Sequence, residues 1–121
     1  MIDKDNVIHV KSYAFAIRMV NAYKFLTLSQ KEFVLSKQML RSGTAIGALI
    51  AEAHHAQSSA DFLNKMNIAL KEANETSYWL SLLKDTHYLD ESTYNSIAID
   101  CGELVALLVS IVKSMKLSLN K

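Results

Sequence analysis

The sequence predicts an all-α protein, an antiparallel up-down-up-down four-helix bundle, on three observations. The 121 residues include no proline and only three glycines, so the chain lacks the residues that punctuate sheets and tight turns. Half of the residues are apolar and 21% are charged, a balance that supports a packed core rather than disorder. Polar caps divide the chain into four long segments with short connections, and such helices run antiparallel to their neighbours. The length suits one domain, residues 1–121.

The first helix is expected over about residues 7–27, where apolar residues dominate. Ser29 stands three before Glu32, the spacing of a capping box, which predicts a second helix over 30–57. Ser58 stands three before Asp61 and predicts a third over 60–86. His87-Tyr88-Leu89-Asp90 reads as a turn, with Asp90 or Ser92 capping a fourth helix over 91–118. The start, MIDKDNVIHV, carries two acids and no long apolar run, unlike a secretory signal. The greasiest stretch, Leu104 to Val112, is broken by Ser110 and falls short of the roughly 20 apolar residues of a membrane span. A cytoplasmic location without a membrane partner is therefore expected.

Two helices are too apolar for one core. Between Val10 and Leu28, 13 of 19 residues are apolar, whereas a helix facing a single core needs a stripe of roughly 100°. Leu104 to Val109 is apolar at all six positions, more than a full turn. A helix apolar on most sides is buried on most sides, and without a membrane the natural cover is another copy of the chain.

The second and third helices carry a different pattern. A reversal near Ser58 sets Glu52 opposite Lys65, Ala45 opposite Glu72 and Gln38 opposite Trp79, with each series spaced by seven. Arg41 falls one turn from Glu75 across this seam. The reading is a polar seam of Gln38, Arg41, Glu52, Lys65, Glu72 and Glu75, whose ions pair and set register among small neighbours such as Gly43, Ala45, Gly47 and Ala48.

These residues also carry a family resemblance. Gln38, Arg41 and Ser42, then Ile46, Ile50, Glu52 and Ala53, then Ser59, Phe62 and Lys65, and finally Ile68-Ala69-x-Lys71-Glu72-Ala73 with Glu75, Thr76 and Trp79, resemble the signature of the bacterial four-helix-bundle proteins related to the 23S rRNA intervening-sequence proteins. The likeness is densest from Gln38 to Asp85 and covers most of the chain. It implies an antiparallel bundle assembling into a ring-shaped homo-oligomer, typically a pentamer, with no known enzymatic activity. Some relatives are encoded in rRNA intervening sequences, and a similar protein assists reverse transcriptases by binding nucleic acid. Leu49 departs from the pattern, since relatives usually carry Asn there.

Catalytic chemistry finds little support in the residues. Glu52-Ala-His54-His55 contains Glu-x-x-His, the spacing that ligates metal in di-iron bundles. Glu72 and Glu75 could join Glu52 and His55, yet the first helix offers no acid between Val7 and Leu28 and no second Glu-x-x-His exists. Cys101 is the lone cysteine, which excludes an internal disulfide, and it reads as a buried inert thiol. Gly43 and Gly47 lie within a helix and form no phosphate-cradling loop. No cofactor, metal or small-molecule substrate is expected.

Binding is the better class. From Asn6 to Ala51 the chain has six basic residues against Glu32 alone. Lys11, Arg18, Lys24, Lys31 and Lys37 form a strip that an oligomer would multiply, favouring phosphate backbones without reading sequence. The leading expectation is a non-enzymatic oligomeric scaffold; the alternative is an RNA- or DNA-binding accessory protein acting through this basic face.

Overall fold

The computed structural model describes residues 4–120 and contains four helices. They are α1 (Lys4–Leu28), α2 (Leu35–Ala53), α3 (Ser59–Asp85) and α4 (Glu91–Leu119). Each packs against two neighbours, α1 on α2, α2 on α3, α3 on α4 and α4 back on α1, so the helices occupy four corners around one core.

Apolar residues recur every three or four positions and fill that core. Phe15, Met19 and Leu26 come from α1, and Met39, Ile46 and Ile50 from α2. Met66, Ala69, Ala73, Leu80 and Leu83 come from α3, and Ile97, Leu104 and Leu108 from α4. Two glycines set the α1–α2 spacing. A Cβ on Gly43 would overlap the Met19 side chain, and one on Gly47 would come 3.3 Å from the Ser12 carbonyl oxygen. The small residues of α2 thus admit α1 as well as α3.

Two caps form as the sequence predicts. Ser58 Oγ accepts from the Asp61 amide at 3.0 Å and opens α3, and Asp90 Oδ1 accepts from the Thr93 amide at 2.7 Å and opens α4. The α3–α4 turn closes on His87 in the left-handed region (φ 69°), with the Tyr88 amide returned to the Leu83 carbonyl.

The second helix is a correction. It starts at Leu35 rather than Gln30 and ends at Ala53 rather than Gln57. Glu32 does not reach back to Ser29. Its carboxylate reaches forward, accepting the amides of Val34 (3.2 Å), Leu35 (3.0 Å) and Ser36 (2.6 Å). Its own amide donates to the Leu26 carbonyl at the end of α1. Lys31 takes the left-handed conformation (φ 55°) that lets the chain turn into this clasp.

The fourth helix takes its expected range to within one residue. It runs unbroken through Ser110 and is long and apolar enough, by length and composition alone, to cross a membrane. In the bundle its Ile97, Cys101, Leu104, Leu108 and Ile111 face the core.

Candidate functional site

The residues expected to form the polar seam do not act as one. Gln38, Arg41, Ala45, Glu72 and Glu75 line a single groove between α2 and α3. Within it, among the described residues, Arg41 closes no ion pair with Glu72 or Glu75. Burial pushes the Glu72 carboxyl above its ordinary range and Glu75 pushes it further, while Arg41 and Lys71 offset part of the rise. Glu75 instead accepts the Trp79 indole N–H at 3.1 Å.

At the other end of the seam, Lys65 pairs with Asp61 at 3.2 Å, one turn back on its own helix. Glu52 is exposed at the last turn of α2. An i,i+4 partner on the same helix lies within easy reach, so the expected Glu52–Lys65 pair gives way to it.

Register across this seam is held by hydroxyls, which the sequence reading passed over. The Thr76 hydroxyl meets Ser42 Oγ at 2.9 Å and the Glu72 carbonyl at 2.8 Å, and both residues are fully buried. Ser42 and Thr76 obey almost the same facing rule as Ala45 and Glu72, one step round toward the core. The missed signal was two polar residues on the inner side of an otherwise apolar stripe. Leu49 lies half-buried and packs its aliphatic side chain against the core.

The Glu-x-x-His constellation is not assembled. Glu52, His54 and His55 are exposed at the end of α2, while Glu72 and Glu75 sit near Ala45, about two turns away along the bundle. His54 meets His9 of α1 edge to face, with ring centroids 5.2 Å apart. Cys101 is buried, its thiol directed at the Ala73 carbonyl at 3.5 Å, and burial pushes its pKa up to about 11.

The basic strip is divided. Lys11 Nζ pairs with Glu103 at 2.7 Å, and Arg18 pairs with Asp100 at 2.7 Å while also donating to the Ser96 hydroxyl and carbonyl. The Glu103 hydrogen bond and charge hold the Lys11 ammonium above its usual pKa. Lys24, Lys31 and Lys37 are exposed. Two of the five cations thus form a ladder tying α1 to α4.

Outside that ladder lies the most distinctive surface. On α1 the core positions Ile8, Phe15, Met19 and Leu26 have a counterpart on the opposite side, the exposed Val10, Tyr13, Ile17, Val20 and Leu28. Tyr13 is 67% exposed and Val10 61%. On α4 the outward side carries Ile99 (64% exposed), Gly102, Ala106 and Val109. Both rows follow the three-four spacing of a helix-packing stripe.

Four helices at the corners of one core define an all-α bundle protein, and two of them also turn an apolar stripe outward. The family is equally definite. The chain belongs to the 23S rRNA-intervening sequence protein family, whose model matches residues 4–110. It is also similar to a crystal structure from Bacteroides thetaiotaomicron, described as a protein with unknown function from the S23 ribosomal protein family. The two chains are 62% identical with a TM-score of 0.90, over 92% of this chain and 99% of that one. A search of curated proteins found no match.

Proposed function

We propose that the protein is a non-enzymatic, cytoplasmic scaffold: an antiparallel up-down-up-down bundle that works as a ring-shaped homo-oligomer. The observation that carries this reading is the outward apolar stripe on α1 and α4. Tyr13, Val10 and Ile17 on α1 and Ile99 on α4 are half or more exposed, and apolar rows of this kind mark interaction sites rather than scattered surface residues. Antiparallel order is supported by cross-helix pairs whose numbers run oppositely, Lys11 with Glu103 and Arg18 with Asp100. A subunit count of five rests on the family likeness alone.

The family's name links it to an rRNA intervening sequence, but the nucleic-acid alternative draws no support from this surface. Lys11 and Arg18, two of the five cations of the basic strip, already hold carboxylates at 2.7 Å. Sedimentation equilibrium or light scattering of the purified chain at micromolar concentration is expected to return a mass several times that of the protomer. A monomer that persists as concentration rises refutes the scaffold reading.

A further inference from the structure

We propose that the groove between α2 and α3 binds the zwitterion of a free α-amino acid, its carboxylate on Arg41 and Gln38 and its ammonium on Glu72 and Glu75. The groove lies within one copy of the chain, so this goes beyond the scaffold reading and does not depend on it.

Helical spacing builds the site. Gln38, Arg41 and Ala45 stand three and four apart on α2, and Glu72 and Glu75 three apart on α3, so each set shares one face. Together they line a cavity of about 360 Å³, within the roughly 300–1,000 Å³ of small-molecule pockets. Ala45 contributes only a methyl group, which leaves the space open.

The two walls carry opposite charge and do not close on each other. Among the described residues, the side chains of Gln38, Arg41 and Glu72 make no hydrogen bond or ion pair. Glu75 is oriented by the Trp79 indole, which donates to Oε2 at 3.1 Å and leaves Oε1 unclaimed. Within the protein alone this arrangement is unfavourable. Neighbouring like charges on one helix face destabilise it, and burial and the Glu75 charge together push the Glu72 carboxyl above its ordinary range. Arg41 and Lys71 offset part of that rise. A perturbed carboxyl in a cleft, beside a cation that does not close on it, is what binding sites present.

The ligand's chemistry follows from both walls. A metal ion suits the glutamates but meets the Arg41 guanidinium. A simple anion suits Arg41 but meets two carboxylates. An α-amino acid carries both charges on one carbon. Its ammonium offers three N–H donors to Glu72 and Glu75, and its two carboxylate oxygens match the Arg41 fork, with the Gln38 amide as a further donor. Ala45 gives the ligand's side chain no polar contact, so recognition rests on the zwitterion.

The test is an NMR titration of the isotope-labelled full chain with L-alanine, N-acetyl-L-alanine and L-alaninamide. L-Alanine is expected to bind saturably, shifting the backbone amides around Arg41 and Glu72 and the Trp79 indole N–H. The acetylated compound lacks the cation and the amide lacks the anion, so each is expected to bind about tenfold more weakly or worse, the worth of one charge-assisted contact. Arg41→Gln and Glu72→Gln are expected to weaken L-alanine by about the same factor. Both should keep wild-type helicity by circular dichroism, because neither side chain is buried in the core. Glu52→Gln, outside the groove, is expected to bind as wild type does. No saturable shift up to millimolar L-alanine, equal binding of L-alaninamide, or affinity unchanged in both groove variants overturns the proposal. The three-compound comparison uses the wild-type chain and decides the case even if a variant fails to fold. The mass of the protein in solution, monomer or oligomer, bears on the scaffold reading alone.

Discussion

Removing the Glu32 carboxylate is the sharpest test of how the chain turns from α1 into α2. The side chain is buried, at 8% exposure, and three backbone amides converge on it between 2.6 and 3.2 Å. Burial pushes its carboxyl up, but the amides of Leu35, Ser36 and Val34 and the Ser36 hydroxyl outweigh burial and hold it below the ordinary glutamate value. Helix N-cap deletions remove about 0.5–2 kcal/mol, and each buried amide left without an acceptor adds about 1–3 kcal/mol unless water reaches it. With partial rehydration of the opened turn, Glu32→Ala is expected to destabilise by about 2–3 kcal/mol.

Glu32→Gln separates charge from shape. The amide keeps one acceptor oxygen but turns an NH2 toward a backbone N–H, so about 1–2 kcal/mol is expected to be lost. The pH dependence has a definite sign. A carboxyl depressed in the folded state stabilises above its unfolded pKa, near 4.3, and loses that contribution as pH falls through the folded value. Wild-type stability is therefore expected to fall more steeply between about pH 5 and pH 3 than that of Glu32→Gln. Urea unfolding at one fixed protein concentration, repeated across that range, reads both quantities. Parallel pH profiles, or a Glu32→Ala variant within about 0.5 kcal/mol of wild type, would refute the clasp as a stabilising device.

Thr76→Val is expected to destabilise by about 1 kcal/mol through loss of the buried contact with Ser42, and Ser42→Ala added to it by clearly less than Ser42→Ala alone, in a double-mutant cycle by urea unfolding. Gly43→Ala should lose about 1–3 kcal/mol despite the better helix propensity of alanine, because the new methyl overlaps Met19; Met19→Ala in the same chain should recover part of the overpacking term. Cys101, with its pKa pushed to about 11, is expected to resist a thiol reagent at pH 8 until denaturant exposes it, and immediate labelling of native protein would contradict the burial. Asp100→Asn with Glu103→Gln frees Arg18 and Lys11, so RNA retention at low salt should rise above wild type and fall steeply with added salt. Strong binding by wild type, unaffected by this change, would restore the basic face as a nucleic-acid surface.

Much of the architecture was legible because it rests on local chemistry. The caps at Ser58 and Asp90 depend on residues only three apart, and the structure repeats them. Glu32 was misread because the capping-box pattern is symmetric to a reader of sequence: a carboxylate can serve the turn behind it or the turn ahead. The choice is made by Leu26, whose carbonyl takes the Glu32 amide, and by the burial of the side chain, neither of which is a local fact. The seam failed for a related reason. Heptad spacing located the right helices but not the rotation about their axes, so the ions were set at positions that the buried Ser42 and Thr76 hold.

That rotation explains where the polar groups of this chain do their work. Buried, short side chains fix alignment between α2 and α3, where the Thr76 hydroxyl meets Ser42. They suit the task because their hydrogen bonds are short and directional, and few rotamers are lost in making them. The long ionic side chains sit at the surface, where such pairs contribute little to stability. Lys11 and Arg18 reach across to α4 from the same side of α1 on which Ala14 and Phe15 line a cavity of about 250 Å³ with them. The Lys11–Glu103 and Arg18–Asp100 pairs bridge α1 and α4 over that cavity, and as half-exposed pairs they add little to the stability that the buried side chains of both helices supply.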